Sequence, residues 1–287
     1  MTPPTYGPCA IKRQRATRAE MERRHTRLYE LVAEGQPMTV RHAYYRAVVD
    51  GLVPKTEGGY RQVQRALAEM REAGTLPFDW IADNTRWMRK PVSFDSIDEA
   101  LADAAASYRR ALWSSAPALV EVWCESDSTA STVANVTEEW DVPLMVTRGY
   151  PSKSFLWSSA QTYTLRDRPV VIYYLGDLDP AGIEIEASIS DGLRRHAPET
   201  EIRFERVAVT FDQRDAWDLP TTPAKNRKRL DFYGGAVELE ALPAPVLREM
   251  LTERILSHFD MRRLELVLLA EEEERELFER MAAGVGA

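Results

Sequence analysis

Between Pro117 and Val209, four short apolar runs alternate with longer amphipathic stretches: Ala118 to Cys124, Pro143 to Thr147, Pro169 to Leu175 and Ile202 to Val209. Apolar runs of this length read as strands, and strands alternating with helical segments build βαβ units. This part of the chain is therefore restricted to an α/β layout with a parallel sheet.

Open sheets of this kind gather ligands outside the carboxyl ends of their strands. Acidic residues just past a strand end are accordingly the first candidates for metal ligation. The first run leads straight into Glu125, and the third into Gly176-Asp177-Leu178-Asp179-Pro180-Ala181-Gly182, after which an amphipathic helix begins. Glu125, Asp177 and Asp179 are thus expected to converge. Carboxylates held together repel one another, and a hard Mg²⁺ relieves that repulsion while keeping waters for a phosphate substrate. The competing reading makes Asp177 and Asp179 caps of the following helix and Glu125 a solvated loop residue. Any single acid would favour that alternative; the three together favour a metal.

Upstream, Met21, Leu28, Leu31 and Val32 recur at helical spacing from Ala16 to Glu34, with Gly35 as a stop. The opposite face holds Arg18, Arg23, Arg24 and Arg27, either a solvated surface or a phosphate-facing stripe. A second helix is capped by Thr39, stopped at Gly51, and carries Val40, Ala43, Tyr44, Ala47 and Val48 on one stripe. Tyr44 is therefore a core residue, whereas Tyr45 lies about 100° further round, on the face of Arg41, and should reach solvent. A third helix, about Glu57 to Ala73, buries Tyr60, Val63, Leu67 and Met70 and exposes Arg61, Gln62, Gln64, Arg65 and Arg71. The aromatic and aliphatic residues around Asp83-Asn84 read as a short hairpin. Three helices and a hairpin suggest a winged helix, with the third helix in a DNA groove and Arg86, Arg89 and Lys90 on a basic wing. A small helical domain that binds protein is the alternative.

The 287 residues suggest two domains: 1–92, then a connecting helical segment at 93–116 patterned from Asp95 to Trp113, then 117–287. Residues 1–90 carry 16 Lys/Arg against 10 Asp/Glu, a net of +6, which leaves −14 of the overall −8 on the remaining 197. Opposite signs fit a DNA-gripping part beside a cation-collecting one, although acidity also serves plain solubility. Cys9 and Cys124 have no zinc or disulfide spacing, which points to a reducing, cytoplasmic setting. No signal peptide or membrane span is evident, and no P-loop is present. Toward the end, 219–229 reads as a DNA-facing loop or a solvated turn. Glu238 to Leu242 leads into two helices, and Glu271 to Glu274 reads as a soluble helix face.

A strand-end glutamate followed by D-x-D-x-x-G is the Toprim pattern. Its combination with the upstream Arg41-His42-Ala43-Tyr44-Tyr45 resembles the topoisomerase VI A subunit and the related meiotic double-strand-break protein. Arg148-Gly149-Tyr150-Pro151-Ser152 is similar to the matching segment of compact A-subunit-like proteins of phages and plasmids. The likeness covers roughly residues 38 to 215, with departures at Ser126 and at His42, where the family often has an acid. The resemblance implies that Tyr45 attacks a phosphodiester of double-stranded DNA, leaving a 5′-phosphotyrosyl link. Arg41 would supply positive potential, and Mg²⁺ would sit at Glu125, Asp177 and Asp179. It adds Arg148 to the DNA-facing set, and implies a homodimer in which the tyrosine of one subunit meets the metal of the other. Strand passage would need a separate ATPase subunit. Two other readings stay open: a hydrolytic Toprim nuclease in which metal-activated water attacks, and a DNA-binding regulator without chemistry.

Overall fold

The computed structural model describes residues 17–82, 92–114, 116–166, 168–222 and 235–285. The first helix, α1 (Arg18–Gly35), opens at Thr17, whose hydroxyl accepts from the Glu20 amide while Glu20 reaches back to the Thr17 amide. Its buried residues begin at Leu28, so Met21, expected on the apolar stripe, is instead 44 % exposed on turns that project past the bundle. Gly35 is the last helical residue rather than a left-handed stop. A Cβ there would meet Met38 Cε at 2.7 Å, so a larger residue would oblige the end of the Met38 side chain to move. Of the arginine face, Arg27 is committed to Asp50 and Glu30, and Arg18 to Glu22.

Strand β1 (Met38–Thr39) leads into α2 (Val40–Val49), where Thr39 accepts from the His42 amide and Ala43, Tyr44 and Ala47 are buried. Gly51 and Gly74 adopt positive φ beyond α2 and α3 (Glu57–Glu72), as stop residues should. Val63, Leu67 and Met70 of α3 complete this core, leaving Arg61, Gln62, Gln64 and Arg65 exposed. Strand β2 (Ile81–Ala82) pairs in parallel with β1. The remainder of the expected hairpin, including Arg86, Arg89 and Lys90, lies outside the described residues, as does most of 219–229.

Strands β3 (Leu119–Cys124), β4 (Leu144–Val146), β5 (Val170–Leu175) and β6 (Ile202–Ala208) form one fully parallel sheet in the order β4-β3-β5-β6. On one face α5 (Asp127–Glu139) and α9 (Ala244–Leu256) bring Val133, Val136, Leu247, Leu251 and Ile255 onto Val122, Val171 and Tyr173. On the other, α6 (Lys153–Arg166) and α7 (Pro180–His196) pack Tyr163, Ile185 and Ile189 against Trp123, Ile172 and Tyr174. Coverage of both faces explains why β5 has no polar position. The order reverses between β3 and β5, whose ends are in register at Cys124 and Leu175, so Glu125 and Asp177 emerge side by side.

The helix expected from Asp95 to Trp113 is shorter, α4 (Ile97–Ser107). The chain turns extended at Tyr108 because Tyr108 and Arg110 are both drawn to Glu274 of α10 (Met261–Val285), at 2.6 Å and 2.7 Å. Part of the acidic run at Glu271–Glu274 is therefore ion-paired. Among the described residues no helix is long and apolar enough to cross a membrane.

A polar seam joins the N-terminal helices to the sheet. Thr39 Oγ1 lies 2.6 Å from Ser128 Oγ of α5, and Arg248 of α9 donates to the carbonyls of Gly35, Gln36, Pro37 and Thr132. His42 is buried in it, with Nε2 donating to the Leu242 carbonyl and Nδ1 facing Thr132 Oγ1, both at 3.1 Å.

Candidate metal centre and its tyrosine

Asp177 stands one glycine past β5. A Cβ at Gly176 would fall 2.6 Å from the buried Tyr174 ring, so a larger residue would have to displace that ring where the loop leaves the strand. The Asp177 amide donates to Glu125 Oε2 at 3.2 Å, which ties the first strand-end acid to the second. Leu178 then pairs antiparallel with Val237 through two backbone hydrogen bonds of 2.8 Å and 3.0 Å. That bridge lays the short 3-10 turn Leu239–Ala241 against the loop, and the Leu239 amide donates to Asp177 Oδ1 at 2.8 Å.

Carboxylate oxygens of Asp177, Glu238 and Glu240 consequently lie within 4.8 Å of one another. This trio differs from the expected one. Asp179 caps α7, its Oδ1 accepting from the Gly182 amide at 2.7 Å, which is the capping alternative weighed above; Pro180 at the first turn completes that local signature. Glu125 stays beside the trio as a neighbour. Sequence reasoning missed Glu238 and Glu240. Their only local signal is the alternation of acids with apolar Leu239 and Ala241, two residues after an apolar Val237.

The electrostatics are those of an anion cluster only partly compensated by Arg41 and Lys55. Glu240 is 2 % exposed, and burial raises its carboxyl above the usual range despite the opposing charge of Arg41. Asp177, open to the surface on one side but enclosed on most others, is pushed well up by burial and then by Glu240, Glu125 and Glu238. Glu125 is raised by burial, with Asp179 and Glu240 adding to the effect. An oxygen-only set of repelling carboxylates fits a hard divalent cation, which would restore all of them to the ionised form. Arg206 stiffens the loop: it donates to the carbonyls of Gly176, Asp177 and Gly182 and pairs with Glu186 at 2.6 Å.

Helix α2 brings the tyrosine motif to this cluster. Arg41 places Nη2 3.1 Å from Glu238 Oε2 and Nε 3.1 Å from Glu240 Oε1, and sits 5.7 Å from the Tyr45 ring centre. Burial works against its charge, yet Glu240, Tyr45, Glu238 and Asp177 outweigh burial and hold its pKa above normal. Tyr45 is half-buried rather than freely exposed, since the acids cover the face that helical phase leaves outside the core. Its phenol is raised above the ordinary value, by burial first and then by the Glu238 charge, with Arg41 opposing and Glu240 adding to the rise. Lys55 Nζ lies 5.2 Å from the same ring and 3.9 Å from Glu238 Oε1.

A groove of about 760 Å³ runs beside the cluster, lined by Arg41, Asp177 and Glu125, by Tyr60, Gln64 and Arg71 of α3, and by Arg148. Arg148 is exposed at positive φ and pairs with Asp127 at 3.0 Å. Arg61 pairs with Glu57 within α3, and Arg65 is exposed on the same helix. The structure thus gathers Arg41, Tyr45, Glu125 and Asp177 at one place and puts Arg148 on the rim. Compared with known proteins, the chain matches no family model and no curated protein.

Proposed function

We propose that the chain cleaves double-stranded DNA through a covalent tyrosine intermediate. In this reading residues 1–92 act as a winged-helix DNA-binding module, 93–116 as a connector and 117–287 as a Toprim domain that uses Mg²⁺. The observation that carries the reading is a tyrosine placed beside a carboxylate cluster by Arg41 and Lys55, which touch both, next to a groove walled by a polar helix face. Asp177, Glu238 and Glu240, with Glu125 beside them, are the residues to hold the ion. When bound, Mg²⁺ supplies positive charge to the phosphate oxygens and to the ionised carboxylates.

The chain's own groups do the rest. Tyr45 Oη attacks phosphorus and its proton passes to solvent. A P–Oη bond forms, the P–O3′ bond breaks, and the departing 3′ oxygen takes a proton from solvent, leaving a 5′-phosphotyrosyl link. Arg41 holds Glu238 and Glu240 in place and keeps positive charge near the phenol. The exposed Arg61, Arg65 and Arg148 contact phosphates. Two such sites, one per chain of a cytoplasmic homodimer, cut both strands. Strand passage requires a separate ATPase subunit.

The raised phenol of Tyr45 favours a second reading, hydrolysis in which water attacks and the tyrosine only positions Glu238. Incubation with Mg²⁺ and labelled duplex decides between them. The first reading expects a protein–DNA adduct that survives denaturation and is lost in Tyr45→Phe; cutting undiminished in Tyr45→Phe, with no adduct in the wild type, establishes the second.

A further inference from the structure

Where the resemblance implies that tyrosine and acidic centre come from different subunits, the contacts of a single chain point elsewhere. The Tyr45 ring lies against Arg41 and Lys55, at 5.7 Å and 5.2 Å from its centre, and both cations also approach Glu238 of the same chain. Arg41, one turn earlier, bridges Glu238 and Glu240 at 3.1 Å each. Lys55, from the loop after α2, approaches both the Tyr45 ring and Glu238 and donates to Thr222 Oγ1 at 3.5 Å.

The seam behind these contacts is specific. Thr39 meets Ser128, and buried His42 meets Thr132 and the Leu242 carbonyl, two residues beyond Glu240. Arg248 gathers three successive carbonyls at the start of β1. A buried, hydrogen-bonded polar interface of this kind fixes register more tightly than an apolar one, because any other docking leaves these groups unpaired. Helix α2 is therefore held to its own acidic centre at both ends of the site.

We propose that each chain carries a complete cleavage site in cis, its Tyr45 serving the Asp177/Glu238/Glu240 centre of the same polypeptide. The chemical part of this statement rests on the cleavage reading above; the docking part does not depend on it. Dimerisation then pairs two finished sites and does not create either one.

Two experiments test it. In a Cys9→Ser background, Thr39→Cys with Ser128→Cys places two thiols where hydroxyl oxygens now stand 2.6 Å apart. Oxidation is expected to give a crosslinked monomer on a non-reducing denaturing gel. A crosslinked dimer, or no crosslink at all, overturns the cis docking. Separately, Tyr45→Phe and Asp177→Asn chains are co-expressed and challenged with DNA. A cis site yields no adduct from the mixture, whereas a shared site restores roughly a quarter of the wild-type adduct through heterodimers and overturns the proposal. If the wild type itself forms no adduct, the cleavage reading fails and the crosslink alone decides where α2 docks.

Discussion

The seam around His42 makes stability depend on pH in a way the structure quantifies. The imidazole is 1 % exposed, and burial first, then Arg46 and Arg248, depress its pKa to about 4, with the Leu242 carbonyl opposing. An unfolded histidine titrates near 6.5. Between those values the unfolded chain binds the extra proton, so stability falls as pH drops. Nothing is lost well above pH 6.5. Below it the loss grows by about 1.4 kcal/mol per pH unit and levels off near pH 4, for a total of about 3 kcal/mol. That is a large share of a typical total of about 5–15 kcal/mol. The raised carboxylates of Glu125, Asp177 and Glu240 act with the opposite sign, gaining protons more readily in the folded state, so the informative quantity is a difference. Urea midpoints of the wild type and His42→Gln, whose amide can keep a donor and an acceptor in the seam, should be compared from pH 7.5 to 4.5. The wild type is expected to lose stability relative to the variant by about 1.4 kcal/mol per unit below pH 6.5. Parallel pH profiles for the two proteins would refute the buried neutral imidazole.

Asp177→Asn keeps the acceptor for the Leu239 amide and deletes a charge repelled by Glu240, Glu125 and Glu238, so its metal-free Tm should rise by a few degrees, at roughly 2–4 °C per kcal/mol for a chain of this size; an unchanged or lowered Tm contradicts the repulsion. The same variant should lose any Mg²⁺-dependent rise in Tm. Because Asp177, Glu125 and Glu240 all hold protons to higher pH than ordinary carboxylates, Mg²⁺ affinity measured by calorimetry should weaken on acidification starting above the usual carboxylate range; titration confined to that range argues against this donor set. Glu238→Gln should bring the Tyr45 phenol back toward its ordinary pKa, read from phenolate absorbance with Tyr45→Phe as the blank.

The parallel sheet was legible because each strand is a short apolar run and each crossover an amphipathic one, a pattern that depends on neighbours in sequence. Glu125 and Asp177 were legible for a related reason: both follow directly from strand ends, and the sheet topology brings strand ends together. Glu238 and Glu240 obey no such rule. Their place is fixed by the Leu178–Val237 bridge, a pairing across 59 positions that only the folded chain reveals. Asp179 has a sufficient local explanation as a cap, which Asp-Pro at a helix start announces and its Oδ1 fulfils. His42 stood out only as a departure from a resembled motif; its role required α5 and Leu242 on either side of the ring. Helical phase put Tyr45 off the apolar stripe, but could not show that acids from 193 residues downstream cover it.

Glu238 is where the separate parts of the site meet. One carboxylate raises the Tyr45 phenol, pairs with Arg41, stands near Lys55 and contributes to the acidic trio. A charge shared in this way couples the groups around it. While Glu238 is unscreened, its negative charge favours the protonated form of Tyr45. Any cation that draws that charge away removes one cause of the raised pKa, while Arg41 continues to favour the phenolate. The arrangement thus couples the Tyr45 proton to the charge of the acidic centre through a single side chain.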